Sequence, residues 1–262
     1  MEAGASMRTK TLNFLETLAL PVLILLAWHW STITGAVPSI VLPTLSAVGS
    51  SIGGQLASGR LQADVLISVS RILKGYGLAV VFGLAFGVTM GMSAHVDRFF
   101  GGLFRAIRQI PMVAWVPLLV MWFGIGEESK VAVIFLASFF QVLLNTIEGI
   151  QRCDKRLVEV GKMYRLSPWQ LFRKIYLPSA LPQISVGLKL GLSVSWMAVV
   201  AAEMIAASSG IGFRINDARA LLDYPTVFSG MIAIAVAGVL MDIALSLVAR
   251  ACMPWERGER HG

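Results

Sequence analysis

The sequence predicts an all-α membrane protein with six transmembrane helices, and three observations carry that prediction. Hydrophobic residues make up 56% of the 262 residues and charged residues only 14%, with a mean hydropathy of +0.73. That is too little polar surface to cover a soluble globule of this size. Apolar runs close to the ~20 residues that cross a ~30 Å hydrocarbon layer recur along the chain, with charged or Gly/Pro-rich breaks between them. Strand-length alternation is absent, which leaves a helical bundle as the way to satisfy backbone polar groups in lipid.

The first run, Leu12–Trp30, could pass for a signal peptide, but it continues to Trp30 without a small-residue cleavage site, so it reads as span 1. Span 2, Ser70–Met92, carries Ala79, Gly83, Gly87 and Gly91 at four-residue spacing. Such a stripe of small residues admits a second helix at close range, in the same chain or in another copy. Span 3, Gly102–Phe123, opens with Arg105 and Arg108 and holds Pro111 and Pro117 on either side of Trp115. Carbonyls freed by proline cannot be left in lipid, so this span faces protein or a water-filled path. Gln109 and Trp115 are its path candidates, and a structural kink is the competing reading. Span 4 is Val131–Gly149. Span 5, Leu181–Ala206, is interrupted by Ser193, Trp196 and Glu203, which are path candidates as well. A carboxylate within a span is costly, and an unpaired Glu203 would repel an anion; a hydrogen-bonded structural role or a gate is the other reading. Span 6 is Thr226–Ala249. Residues 1–262 read as one transmembrane domain, with residues 150–177 outside the bilayer.

Lys and Arg set the orientation. They gather before span 1 (Arg8, Lys10), between spans 2 and 3 (Arg98), between spans 4 and 5 (seven residues from Arg152 to Lys174) and after span 6 (Arg250, Arg257, Arg260). The alternate connections hold fewer: Arg60, Lys130, and Arg214 with Arg219. Both termini are therefore expected in the cytoplasm. Topology accounts for most of the +7 net charge, so no nucleic-acid partner is implied. Cys153 and Cys252 both fall on the cytoplasmic side, where a disulfide is disfavoured.

No GxxxxGK[ST] run occurs, so nucleotide chemistry has to come from a partner. HExxH spacing and GxSxG are also missing. The interior ionisable residues, Glu148, Lys189, Glu203 and Asp242, are too scattered for a proton relay. No cofactor or metal is expected in this chain.

The segment EVGKMYRLSPWQLFRKIYLP, Glu159–Pro178, is dense in Lys and Arg. Leu157, Val160, Gly161 and Tyr164 recur at helical spacing and predict a short amphipathic helix with those residues as its apolar stripe. Ser167, Pro168 and Gln170 predict a second helix start with a capping box, and Leu171, Phe172 and Ile175 its stripe. Pro178 and Pro182 are expected to interrupt the return to the membrane. Such a pair could rest on anionic lipid or dock on a cytoplasmic protein.

The same segment resembles the EAA loop of permease subunits of ATP-binding-cassette importers, whose pattern is EAA, three residues, Gly, nine residues, Ile-x-Leu-Pro. Glu159 matches the opening Glu, Gly161 stands at the second Ala, and Ile175, Leu177 and Pro178 match the close; Arg165 replaces the Gly. IVLPTLSAV at Ile40–Val48, Ser68-x-Ser70-Arg71, RQIPMVAWVPLLVMWFGIGEESK at Arg108–Lys130 and VAAEMIAASSGIGF at Val200–Phe213 are similar to the nitrate/sulfonate/taurine branch. The resemblance implies a type I importer permease of the MetI-like fold, with coupling helices between spans 4 and 5. It further implies a homodimer, two cytoplasmic ATPases that use ATP and Mg, a periplasmic solute-binding protein, and an oxyanion cargo: an aliphatic sulfonate or taurine first, nitrate next. By that resemblance Glu159, Gly161, Arg165, Leu166, Ser167, Pro168, Leu171 and Phe172 form the ATPase joint. Apart from the resemblance, the stretch Ser208–Thr226 falls on the periplasmic side by charge topology and is a candidate docking surface for a solute-binding protein, with a solvated loop as the competing reading. An ATP-independent carrier or channel with a lipid-binding loop is the alternative.

Overall fold

The computed structural model describes residues 19–253, which form helices joined by short turns, with no strand among the described residues. They gather into two compact units. The smaller takes residues up to 61 together with 215–231. In it, α1 (Ala19–Ile33) places Trp28 so that its Nε1 donates to the Pro43 carbonyl at 2.8 Å and its ring lies 5.1 Å from that of Phe228. Thr44 caps α2 (Leu45–Ala57) by accepting from the Ala47 N–H, and Ser51 shares a 3.1 Å hydrogen bond with Thr226. The part of span 1 before Ala19 lies outside the described residues.

The larger unit, 62–214 with residues from 232 on, is built round α6 (Glu127–Gln151). On one side lies α3 (Arg60–Met92). A Cβ on Gly75, Gly83, Gly87 or Gly91 would fall within 3 Å of Ile134, Val142, Thr146 or Ile150 respectively. The stripe, with the fully buried Ala79, is thus spent within the chain, which answers the choice the sequence left open. The order of these contacts also makes α3 and α6 parallel. On the other side lies α9 (Leu177–Ala206), antiparallel to α6: a Cβ on Gly187 would meet Asn145, one on Gly191 would meet Val142, and one on Gly149 the Ala180 carbonyl. Hydrogen bonds add cross-ties: Ser138 to Ser195 at 2.7 Å, Gln183 to Asn145 and Glu148 at 3.0 Å each, and Tyr76 to the Leu188 carbonyl at 2.9 Å.

Since α3 and α6 are parallel, the chain between them has to return. It does so through α4 (Ala94–Arg108) and α5 (Met112–Phe123), which meet at 99°. The single span expected over Gly102–Phe123 is therefore corrected to a broken pair. Pro111 has no N–H and pushes Ile110 out of the α region, and Arg105, Arg108 and Gln109 keep the last turn of α4 polar. Phe86, Phe100, Phe104, Phe139 and Phe140 pack edge-on to hold α4 against α3 and α6.

Span 2 begins ten residues earlier than expected, at Arg60. After α7 (Lys155–Met163) and α8 (Pro168–Leu171), a π-helical turn at Phe172–Tyr176 runs directly into α9, so Pro178 ends nothing. The expected interruption of regular hydrogen bonding takes the form of that π turn, in which the Leu177 N–H bonds to the Phe172 carbonyl just before Pro178; Pro182 lies inside α9 without ending it. Short α10 (Ile211–Ala220) and long α11 (Tyr224–Cys252) are the last helices among the described residues. Among the described residues, four helices are long and apolar enough to cross a membrane, or five with the bent pair.

Candidate functional site

At the end of the bundle where α3 and α6 finish, α7 and α8 form a compact helical joint. Asp154 caps α7 by accepting from the Arg156 N–H at 2.8 Å. Val158 and Gly161 turn inward with Cys153 and Leu171, covered by Leu166, Ile175 and Tyr176. The approach is close: a Cβ on Gly161 would lie 2.6 Å from Ile175 Cδ1.

That contact fixes the rotation of α7, and it corrects the expected stripe. Of Leu157, Val160, Gly161 and Tyr164, only Gly161 faces inward. Leu157, Val160, Met163 and Tyr164 are exposed, Tyr164 to 79%, as is Trp169 to 66%. Glu159 lies exposed on the same helix.

Arg165 occupies the left-handed region at φ +53°. The Arg165 N–H donates to the Lys162 carbonyl at 2.9 Å and the Leu166 N–H to the Gly161 carbonyl at 3.1 Å, the paired closure of a Schellman cap with the apolar residue Leu166 folded back over Gly161. The turn geometry is thus the one glycine favours, adopted here by an arginine. Ser167 then caps α8: its hydroxyl accepts from the Gln170 N–H at 3.3 Å, and Gln170 Oε1 accepts from the Ser167 N–H at 2.8 Å. Pro168 opens α8, Leu171 is buried, and Phe172 packs 5.6 Å from the Trp169 ring. From Pro168 to Ala206 the helix is unbroken for 39 residues, about 58 Å at 1.5 Å per residue.

At the opposite end, Glu203 is wholly buried. Arg71 Nη1 donates to its Oε1 at 2.8 Å, Ser68 Oγ at 2.8 Å, and the Gly212 N–H to its Oε2 at 2.8 Å. Arg71, 1% exposed, also donates to the Glu127 carboxylate, the Ser209 carbonyl and the Ser209 hydroxyl. Alongside, Arg214 pairs with Asp64 at 2.7 Å. The clasp therefore joins the starts of α3, α6 and α10 to the end of α9. A Cβ on Gly210, at φ +103°, would fall 2.5 Å from Glu203 Oε1, so a side chain there would evict the carboxylate.

The remaining path candidates are dispersed. Ser193 and Trp196 of α9 border a groove of about 400 Å³ against α11, with Gly238 and Asp242 opposite. Ser193 is exposed and Trp196 buried, its Nε1 without a hydrogen-bond partner. Gln109 caps the C-terminus of α4 and is exposed, and Trp115 is half-buried on α5. Neither borders that groove. Sequence reading overlooked Arg71, Ser68 and the Gly212 N–H as the partners of Glu203, and Glu127 and Ser209 as further partners of Arg71. The available signal was a charge of opposite sign, Arg71, inside another span, since charges at membrane depth pair.

Residues 79–254 match the family described as the binding-protein-dependent transport system inner membrane component. The aliphatic sulfonates transport permease protein SsuC of Bacillus subtilis is 34% identical over 94% of this chain and 89% of its own length. The taurine transport system permease protein TauC of Escherichia coli is 34% identical over 83% and 78%, and the bicarbonate transport system permease protein CmpB of Synechocystis 32% over 73% and 69%. Among solved structures, the inward-facing MetNI methionine ABC transporter superposes with a TM-score of 0.66 over 75% of this chain and 98% of that one at 15% identity, which speaks to fold. The chain belongs to the family of inner-membrane components of binding-protein-dependent transport systems, as an ABC importer permease of the sulfonate, taurine and nitrate branch whose ATPase is a separate subunit.

Proposed function

We propose that this permease imports a small oxyanion, an aliphatic sulfonate or taurine first and nitrate next, as a homodimer served by two cytoplasmic ATPases and a periplasmic solute-binding protein. Residues 1–262 act as one transmembrane domain with both termini in the cytoplasm, and residues 150–177 carry the coupling joint. The observation that carries the reading is the outer face of α7 and α8. Their inward faces are already filled, yet Leu157, Val160, Met163, Tyr164 and Trp169 remain exposed among Lys and Arg. An exposed apolar patch marks a docking face, and in this reading its occupant is the ATPase, with Glu159 and Arg165 beside the patch to orient it. Gly161, Leu166, Ser167, Pro168, Leu171 and Phe172 shape the joint.

ATP and Mg belong to the partner, and this chain supplies no cofactor site. Relatives named for sulfonates and taurine favour that cargo, and one named for bicarbonate extends the class to other small oxyanions. Gln109, Trp115, Ser193 and Trp196 stand along the path in this reading, while Glu203 serves the clasp. The exposed apolar face of α11, including Val236, Val239, Leu240 and Ile243, meets lipid or the second copy. Glu159→Ala should leave insertion and expression intact while weakening retention of the ATPase and abolishing coupled uptake. Transport that survives ATP depletion, from a chain that never retains an ATPase, would establish the carrier or channel alternative instead.

A further inference from the structure

The bundle end that carries the joint has a second feature, which the importer mechanism leaves unused. Asp97, Gly101, Arg105 and Arg108 follow at steps of four, four and three along α4 and so share a face. That face meets α6 across a half-open cleft of about 230 Å³. Its floor is apolar, formed by Phe104 with Phe140, Leu143 and Ile147, and its rim is polar, formed by Asp97, Arg105, Arg108 and Gln151. Gly101 is buried, and a Cβ there would stand 3.1 Å from Asp97 Oδ1 and 3.2 Å from Arg105 Nη1, so its lack of a side chain keeps the middle open. The cleft lies at the level where α3 ends at Met92 and α6 at Gln151, the depth at which spanning helices reach the headgroups. Phe99 and Leu103 lie exposed on the other flank of α4, while Phe100 and Phe104 pack inward against α3 and α6.

The charges define what fits. Two guanidinium groups and one carboxylate leave a net charge of one positive, balanced by a single phosphodiester. A free inorganic oxyanion would leave the apolar floor unused, and a zwitterionic lipid would leave the positive charge unbalanced. We propose that the cleft seats an acidic phospholipid with a hydroxylated headgroup. Its phosphodiester meets Arg105 and Arg108, its headgroup hydroxyls donate to Asp97, and an acyl chain lies over Phe104, Phe140, Leu143 and Ile147.

The test uses the purified full-length chain in detergent, titrated with dioleoylphosphatidylglycerol, dioleoylphosphatidylethanolamine or inorganic phosphate. Bound lipid is counted by native mass spectrometry, so no transport readout enters. Phosphatidylglycerol should be retained over phosphatidylethanolamine, and inorganic phosphate should not displace it. Arg105→Gln/Arg108→Gln should lower its affinity about tenfold or more, the scale of losing charge-assisted hydrogen bonds. Gly101→Leu, which fills the cleft without changing charge, should do the same, whereas Arg98→Gln, with its exposed side chain on the same helix outside the cleft, should not. Equal retention of the two lipids, displacement by phosphate, an equal loss in Arg98→Gln, or unchanged binding in both cleft variants would each overturn the proposal.

Discussion

Replacing Arg71 by Met keeps a long side chain in place and removes the charge from the clasp. Glu203, with no exposed surface, would keep Ser68 and the Gly212 N–H as donors but lose its counter-charge. Breaking a buried pair from one side costs about 3–5 kcal/mol. Glu203→Gln is milder, because Arg71 retains the Glu127 carboxylate and both oxygens of Ser209; leaving one buried bond unmade costs about 1–3 kcal/mol. The double variant contains neither orphaned charge, so its loss should be smaller than the two single losses together, by more than ~1 kcal/mol. Unfolding of the four proteins in one detergent measures this directly, with the order wild type, Glu203→Gln, Arg71→Met from most to least stable. Strict additivity, or an Arg71→Met protein as stable as wild type, would refute the assignment of Arg71 and Glu203 as a coupled buried pair.

Other outcomes follow from close contacts elsewhere. Arg165→Gly should raise the stability of the joint by up to ~1 kcal/mol, by relieving a side chain held at positive φ; if uptake nonetheless falls in the assembled importer, Arg165 contacts the ATPase. Gly87→Val should destabilise by about 1–3 kcal/mol or more, since even a Cβ would lie 2.5 Å from Thr146 Cβ, whereas Gly77→Ala, with nothing within 4 Å, should be neutral or slightly stabilising in thermal unfolding. Gly210→Ala should cost at least as much as Arg71→Met in thermal unfolding, because it displaces the charged Glu203 carboxylate and holds a side chain at φ +103°.

Helical class and the long helices were legible because length and composition alone decide them. The break at Gln109–Pro111 was less so: one window of apolar residues looks the same whether straight or bent by 99°, and Pro111 with the polar last turn of α4 distinguished them. The capping box of Ser167 and Gln170 was readable because it is local, spanning three residues. The face of α7 was not, since hydrophobicity favours Leu157, Val160 and Tyr164, while the fold is set by the approach that Gly161 allows to Ile175. Glu203 was noticed for its cost, but its partner lies 132 residues away, and no spacing rule reaches that far.

The placement of the clasp and the joint constrains how a push from an ATPase can act. They lie at opposite ends of α6, whose 25 residues extend about 37 Å. Between them, α3, α6 and α9 are tied by glycine contacts and by the bonds of Ser138, Tyr76 and Gln183. Close-packed helices with satisfied cross-ties shift as a body rather than bend. In the importer reading, a displacement of α7 and α8 would be carried along the unbroken helix from Pro168 to Ala206 to the clasp. A segment able to shift against that body is α5, which packs on α6 and α9 and is bounded by the break at Pro111 and by Gly124 at φ +77°. In the importer reading, Trp115 on α5 and Gln109 at its hinge shift against Ser193 and Trp196 of the tied body, so that rocking of rigid helices changes the aperture without straining the core.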